Sequence, residues 1–353
     1  ITDRINYCCA RAGKGPGGRD AEVSIRARTR HDGSIAARYA GVAKCANAWA
    51  CPVCADAIAR RRRDDLAAAD AVLRGAGYCR YFVTFTLRHG RGDALDTLIG
   101  QLSASLRKWR QRRGVRRILD DAGFQGQART VEVLHGANGW HPHAHALFVL
   151  ERELTPDEVE TLERQWVDVL RKAGGDGLEG VALDVQPVRS GGGDGDSISD
   201  YLCKTGTAAA ISHEIAGTGK SASAGRSPAM LLRDSSHGDR DAGARFAEFV
   251  AAMKGKAQMY WSPGFRAASS LDPADDEDAA SEAEASGDET DDDAEVLALP
   301  AGAIWVLNWQ SVRSDFLDLV EVEGPDEALR WYWQIRADQI QRRPSVPPGR
   351  RSA

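Results

Sequence analysis

The sequence predicts an α+β protein, an antiparallel-rich sheet covered by helices. Three observations predict it. The elements run strand, helix, strand, strand, helix, strand, helix. Asn138-Gly139 joins two adjoining strand-like segments, which is the strongest short hairpin signal. Between the strands, apolar residues recur at helical spacing.

Taken in order, Ala55 to Gly75 reads as a helix, with Ile58, Leu66, Ala69, Val72 and Leu73 on one side. Tyr81 to Leu87 is rich in β-branched and aromatic residues and reads as a buried strand. Asp93 to about Leu119 reads as one helix. Leu95, Leu98, Ile99, Leu102, Leu106 and Trp109 form its stripe, and Asp93 is its expected N-cap. Arg129 to Leu134 and Trp140 to Leu150 are the hairpin strands. Thr155 to Lys172 is a helix, Val181 to Val188 a strand and Ser197 to about Ile211 a helix. Near the C-terminal end, Ile304 to Leu307 reads as a strand, and a helix opens at Pro325. Trp305, Trp309, Trp331 and Trp333 could stack on nucleic-acid bases, but read better as the core of that small module.

The chain has 353 residues, enough for about two domains. No apolar run approaches the roughly 18–20 residues of a membrane helix. The net charge of −5 conceals a division. Thirteen acidic residues and no Lys or Arg lie between Asp272 and Glu295. Without them, 46 basic residues face 38 acidic ones, a net of +8, as expected of a chain that meets phosphates. The expected organisation is a cysteine-rich zinc-binding segment at 1–55, a main domain at 56–266, an acidic disordered linker at 267–296, a small module at 297–340 and a basic disordered tail at 341–353.

Alternate residues of a strand share a face, so His141, His143 and His145 point the same way. Three imidazoles on one face suit a divalent metal. With Asn138-Gly139 as the central turn residues, Glu132 sits opposite His145 and diagonal to His143, as a carboxylate ligand. His135 would oppose Pro142 and point away. Cys45, Cys51 and Cys54 have the spacing of a structural zinc site, with Cys8 or Cys9 as the fourth thiolate. Seven cysteines in a chain of this length point to a reducing compartment rather than to a disulfide scaffold. Arg107, Lys108, Arg110, Arg112 and Arg113 could track a DNA backbone. Tyr201 and Lys204 sit one helical turn apart, so a cation lies beside a phenol that is otherwise a poor nucleophile.

These motifs, in this order, resemble the HUH endonuclease superfamily, and within it the actinobacterial rolling-circle plasmid replication initiators. The resemblance covers roughly residues 8–266. It is carried by Val42-Ala-Lys-Cys-Ala-Asn-Ala-Trp-Ala-Cys-Pro-Val-Cys54, by Val131 to Leu147 with its His-Pro-His-Ala-His run, by Tyr201-x-x-Lys204 and by Tyr260-Trp-Ser-Pro-Gly264. It implies a five-stranded antiparallel sheet with the metal on its central strands. It implies that Tyr201 attacks a phosphodiester of single-stranded or extruded origin DNA, leaving a 5′-phosphotyrosine and a free 3′-OH. Mg²⁺ or Mn²⁺ would sit on His143, His145 and Glu132, with His141 a spare ligand or a supporting group, and Lys204 would help hold the phosphate or the phenolate. It also implies a host helicase and polymerase as partners, a dimer on DNA and a bacterial cytoplasmic location. Related possibilities are a transposase, a relaxase or a non-catalytic DNA-binding protein. In one respect the chain departs from relatives that place a glutamate one turn before the tyrosine, because that position is Ser197.

Overall fold

The computed structural model describes residues 3–14, 19–29, 33–173, 182–188, 225–273, 275–276, 279–280 and 294–341. In chain order the elements are α1 (Asp3–Asn6), β1 (Ser24–Thr29), β2 (Ile35–Ala40), α2 (Pro52–Gly75), β3 (Cys79–Thr86), α3 (Leu95–Gln111), α4 (Arg113–Asp121), β4 (Gly126–Gly136), β5 (Gly139–Leu150), α5 (Pro156–Lys172), β6 (Leu183–Pro187), α6 (Pro228–Ser236), α7 (Arg240–Met253), β7 (Met259–Trp261), α8 (Pro263–Ser269), β8 (Ala294–Ala298), α9 (Ala303–Trp309), α10 (Arg313–Val322) and α11 (Pro325–Gln341). The helix expected at Ser197 to Ile211, with Tyr201 and Lys204, lies outside the described residues.

The chain divides into two compact units, residues 46–283 and residues 2–45 together with 284–353. This differs from the boundaries expected from composition. The N-terminal hairpin and the C-terminal helices share one core, and the expected linker carries structure at both ends, the end of α8 and the start of β8.

The first unit is built on a five-stranded antiparallel sheet of order β6-β3-β5-β4-β7. One face packs Leu147 and Val149 against Leu66, Ala69 and Leu73 of α2 and Phe265 of α8. Val72, expected on that stripe, is exposed. On the other face the Phe85 ring centroid lies 5.1 Å from that of Trp109 in α3 and 5.0 Å from that of Trp166 in α5. Burying an aromatic of this size contributes roughly 1.5–3 kcal/mol. The helix expected from Asp93 to Leu119 is two helices, broken at Arg112, which is extended with ψ 134°. An unbroken helix would carry the stripe of Leu106 and Trp109 on to Arg113 and Arg116. The break resets the phase, so that α4 buries Val115, Ile118 and Leu119. Asp93 is not the N-cap. It accepts a hydrogen bond from the Gly90 amide, and Glu248 of α7 takes the Leu95 amide at the start of α3.

The β4–β5 hairpin has a different register from the expected one. Gly136 pairs with Gly139, Glu132 with His143 and His135 with Trp140. Ala137 and Asn138 are the turn residues, and Gly139 takes the left-handed position at φ 88° while Asn138 does not. A turn centred on Asn138-Gly139 would need positive φ at both residues. The shift is two residues, so every side chain keeps its expected face.

Two local devices lend themselves to measurement. The Trp261-Ser-Pro-Gly264 run starts α8. Ser262 Oγ accepts from the Phe265 amide at 3.2 Å and from the Gln127 amide of β4 at 2.8 Å. A Cβ at Gly264 would lie 1.9 Å from the Gln125 carbonyl oxygen. Gly264→Ala should therefore cost about 2–3 kcal/mol, read as a lower denaturant midpoint at unchanged slope. At α5, Thr155 and Glu158 form a capping box, and Arg152 grips both Glu158 carboxylate oxygens at 2.9 and 2.8 Å. That guanidinium holds the Glu158 carboxyl down to about 2, from an ordinary 4.5. A depressed carboxyl stabilises the fold fully above its unfolded value, and the gain is lost as pH falls through the folded one. Stability should thus fall by about 1 kcal/mol between pH 4.5 and 2 on this account, because the pair is partly exposed, and Glu158→Gln should remove that part of the slope.

In the second unit, β2-β1-β8 forms an antiparallel sheet. Its core joins Ile25 and Tyr39 to Ile304, Leu307, Phe316 and Tyr332. Ile304 to Leu307, expected as a strand, lies in helix α9. The residues it buries, Ala303, Ile304, Val306 and Leu307, form a helical stripe. The expected tryptophan core is also corrected. Trp305 and Trp309 are 52% and 68% exposed and stack on one another, and Trp333 is exposed too. Only Trp331 packs against the core. The interior is already filled by Phe316 and Tyr332.

Candidate functional site

Strand β5 sits at the centre of the five-stranded sheet, with β3 on one side and β4 on the other. On one face it presents His141, His143 and His145, the first two part-exposed and the last buried. β4 contributes Glu132, directly opposite His143 and diagonal to His145. The diagonal contact is the close one: Glu132 Oε2 lies 3.0 Å from His145 Nε2. β3 contributes two threonines. Thr84 pairs with His145 and Thr86 with His143, and their hydroxyls lie 3.1 and 3.0 Å from the respective Nδ1 atoms. The Phe82 ring stacks on His145.

His89, in the segment after β3, reaches the same face. Its Nε2 contacts His141 Nδ1, and its Nδ1 lies 3.2 Å from the Asn138 carbonyl oxygen. Thr84, Thr86 and His89 were not among the expected site residues. The threonines did carry a signal, polar residues alternating in an apolar strand, whereas His89 carried none. His135 lies on the opposite face with its ring 4.8 Å from Trp140, pointing away from the histidines as expected.

The electrostatics follow from burial and crowding. Burial pushes the Glu132 carboxyl up. The His145 hydrogen bond and the charges of His145, His143 and His141 outweigh it and hold the group below its ordinary value. Burial, then the neighbouring His141, drives His143 down to about 4. His141 is lowered by burial and then by His89. His143 is therefore neutral near pH 7. In the tautomer that donates Nδ1–H to Thr86, Nε2 keeps a free lone pair, the state a metal ligand requires. A carboxylate oxygen and an imidazole nitrogen 3.0 Å apart need a proton or a cation between them. The donor set fits a hard or borderline divalent ion. The four side chains share a face without converging. The cysteines expected to bind zinc are divided between the units, Cys8 and Cys45 in the second and Cys51 and Cys54 in the first.

Those cysteines are held locally. Cys51 is the N-cap of α2 and Cys54 is buried in its first turn. The Cys9 amide donates to the Ala43 carbonyl at 2.7 Å, which sets the Cys8-Cys9 segment beside that of Cys45. Within the second unit, Cys9 Sγ lies 3.6 Å from Lys44 Nζ. Of the basic run, Arg112 pairs with Asp168 at 2.9 Å. Arg107, Lys108 and Arg113 are exposed at the end of α3 and the start of α4, and Arg110 is half-buried.

An antiparallel α+β sheet bearing a histidine and carboxylate face is the class that the structure defines. The chain belongs to the replication protein family, whose model matches residues 37–315. It is similar to "Protein rep" of Streptomyces lividans, 32% identical over 140 residues, covering 31% of this chain and 30% of that protein. It is also similar to a protein named "Neomycin resistance protein" from Streptomyces cyanogenus, 31% identical over 156 residues, 37% of this chain and 35% of the other. The chain thus spans about a third of the length of the curated relatives it matches. No solved structure matches it. The resemblance to actinobacterial replication proteins is borne out. Among the described residues no helix is long and apolar enough to cross a membrane.

Proposed function

We propose that the chain is a plasmid rolling-circle initiator of the HUH type, which nicks and rejoins single-stranded or extruded origin DNA. The observation that carries this is the Glu132–His145 contact beside a neutral His143, in a chain of the replication protein family. Glu132, His143 and His145 would hold Mg²⁺ or Mn²⁺, with His141 and His89 next to them. When bound there, the ion supplies positive charge against a phosphate that becomes more negative on attack. Thr84 and Thr86 fix the imidazole rings through Nδ1, and Phe82 closes the apolar side of His145. Tyr201 would attack phosphorus through its phenolate oxygen, forming the tyrosine–phosphate bond and releasing the 3′-OH, with Lys204 holding the phosphate or the phenolate. Arg107, Lys108 and Arg113 would meet the DNA backbone, and a host helicase and polymerase would take up the exposed 3′ end in the bacterial cytoplasm.

The test is incubation with single-stranded oligonucleotides tiling the cognate origin, with and without Mn²⁺. A Mn²⁺-dependent covalent protein–DNA adduct is the expected result. A mobility shift without any adduct would leave only a DNA-binding protein.

Cys45, Cys51 and Cys54, with Cys8 as the fourth thiolate, would hold structural Zn²⁺. Cys8→Ser should lose zinc and much of the soluble yield, since bound zinc adds its binding energy to folding. Cys9→Ser should keep zinc. Elemental analysis of both variants checks this.

A further inference from the structure

A second constellation lies on the sheet face away from the histidines. Arg129 of β4 points there, three residues from Glu132 and so about 10 Å along the strand. Its cross-strand neighbour is Tyr260 of β7, with the guanidinium carbon 5.2 Å from the ring centroid. Arg110, from the last turn of α3, lies 4.3 Å above the ring of Phe124, which itself packs edge-on against Phe148 of that face. Tyr260 is an electrostatic neighbour of both arginines.

Both guanidiniums are half-buried, and neither forms an ion pair with a carboxylate among the described residues. Burial pushes both below the ordinary arginine value, against Asp120 and Tyr260 at Arg110 and against Tyr260 at Arg129. Charges partly removed from water are ordinarily paired, because desolvation costs several kcal/mol per ion. Here aromatic faces take the place of a carboxylate and pre-orient two forks with free N–H donors, a geometry that matches phosphate oxygens. The exposed Arg107, Lys108, Arg113, Arg116 and Arg117 are also without an ion pair among the described residues, so the surroundings stay positive.

We infer that Arg110 and Arg129, braced by Phe124 and Tyr260, form a phosphate subsite for the backbone of single-stranded DNA a few nucleotides from the nick. This rests on the DNA-nicking reading but not on its chemistry, so it is tested on zinc-loaded protein without added Mn²⁺ or Mg²⁺, where no adduct forms. The probe is a random-sequence single-stranded 30-mer, titrated by fluorescence anisotropy over a range of salt. The Arg110→Gln/Arg129→Gln variant should bind at least about 10-fold more weakly, and its salt slope should fall by about 1.4, the loss of two single-strand phosphate contacts. The Arg110→Lys/Arg129→Lys variant should restore most of the slope. Should the glutamine variant not fold, a methylphosphonate scan on the wild type reads the same contacts, and one or two neutralised positions should weaken binding. A glutamine variant with wild-type affinity and slope, or a scan with no sensitive position, overturns the subsite. So does tighter binding of the annealed duplex that is equally sensitive to both arginines, since it makes the ligand double-stranded. A wild type that binds without Mn²⁺ yet yields no adduct when Mn²⁺ is added refutes the nuclease and leaves the subsite standing.

Discussion

Tyr201→Phe should lower covalent adduct formation by more than about 10³-fold, because the attacking oxygen is the only atom removed and a nucleophile has no substitute. DNA binding should stay within a few fold. The measurement is a denaturing gel of the protein–oligonucleotide adduct, followed by peptide mapping of the labelled residue. The rival is Tyr260, also on a motif that carries the family resemblance. It faces away from the histidines and covers Arg129, so an adduct mapped there would require a different active centre. A normal adduct yield in the variant would end the assignment of Tyr201.

The second large effect concerns the histidine face. His145→Ala removes the ring that Thr84, Phe82 and Glu132 all hold. Nicking should fall on the order of 10²–10³-fold, comparable with losing one preorganised charge-stabilising group. Thr86→Val keeps the shape but deletes the hydroxyl at His143 Nδ1. It should raise the Mn²⁺ needed for half-maximal nicking about 10-fold while leaving the saturated rate near normal, as outer partners of metal ligands do. Zinc content should not change in either variant. A Thr86→Val protein with an unaltered Mn²⁺ response would mean that the threonine does not set that imidazole.

The face of each histidine was legible in the sequence, and its partner was not. Strand alternation alone places His141, His143 and His145 together, and no register can change that. The pairing depends on the turn, where Asn138-Gly139 admits two solutions. The chain uses Gly139 as the single left-handed residue after the turn and so shifts Glu132 from His145 to His143. A two-residue shift preserves parity, which is why Glu132 still reaches His145. The break at Arg112 was legible in principle, because Arg113 and Arg116 would have continued the apolar stripe. His89 was not legible, since only tertiary folding brings it beside His141. The exposed tryptophans show the limit of composition: which aromatics fill a small core depends on the helix phase, and Tyr332 and Phe316 have the buried positions.

The pairing of β1 with β8 has a consequence for synthesis. Residues 24–27 find the partners for their second edge only at 294–298. At roughly 5–20 residues per second, a ribosome needs tens of seconds to make the stretch between them. During that time the β1–β2 hairpin is a two-stranded ribbon with an open edge and an uncovered Ile25, a form that is marginally stable at best in water. The residues between can meanwhile complete their own sheet, so β1, though made before them, is among the last strands to become secure.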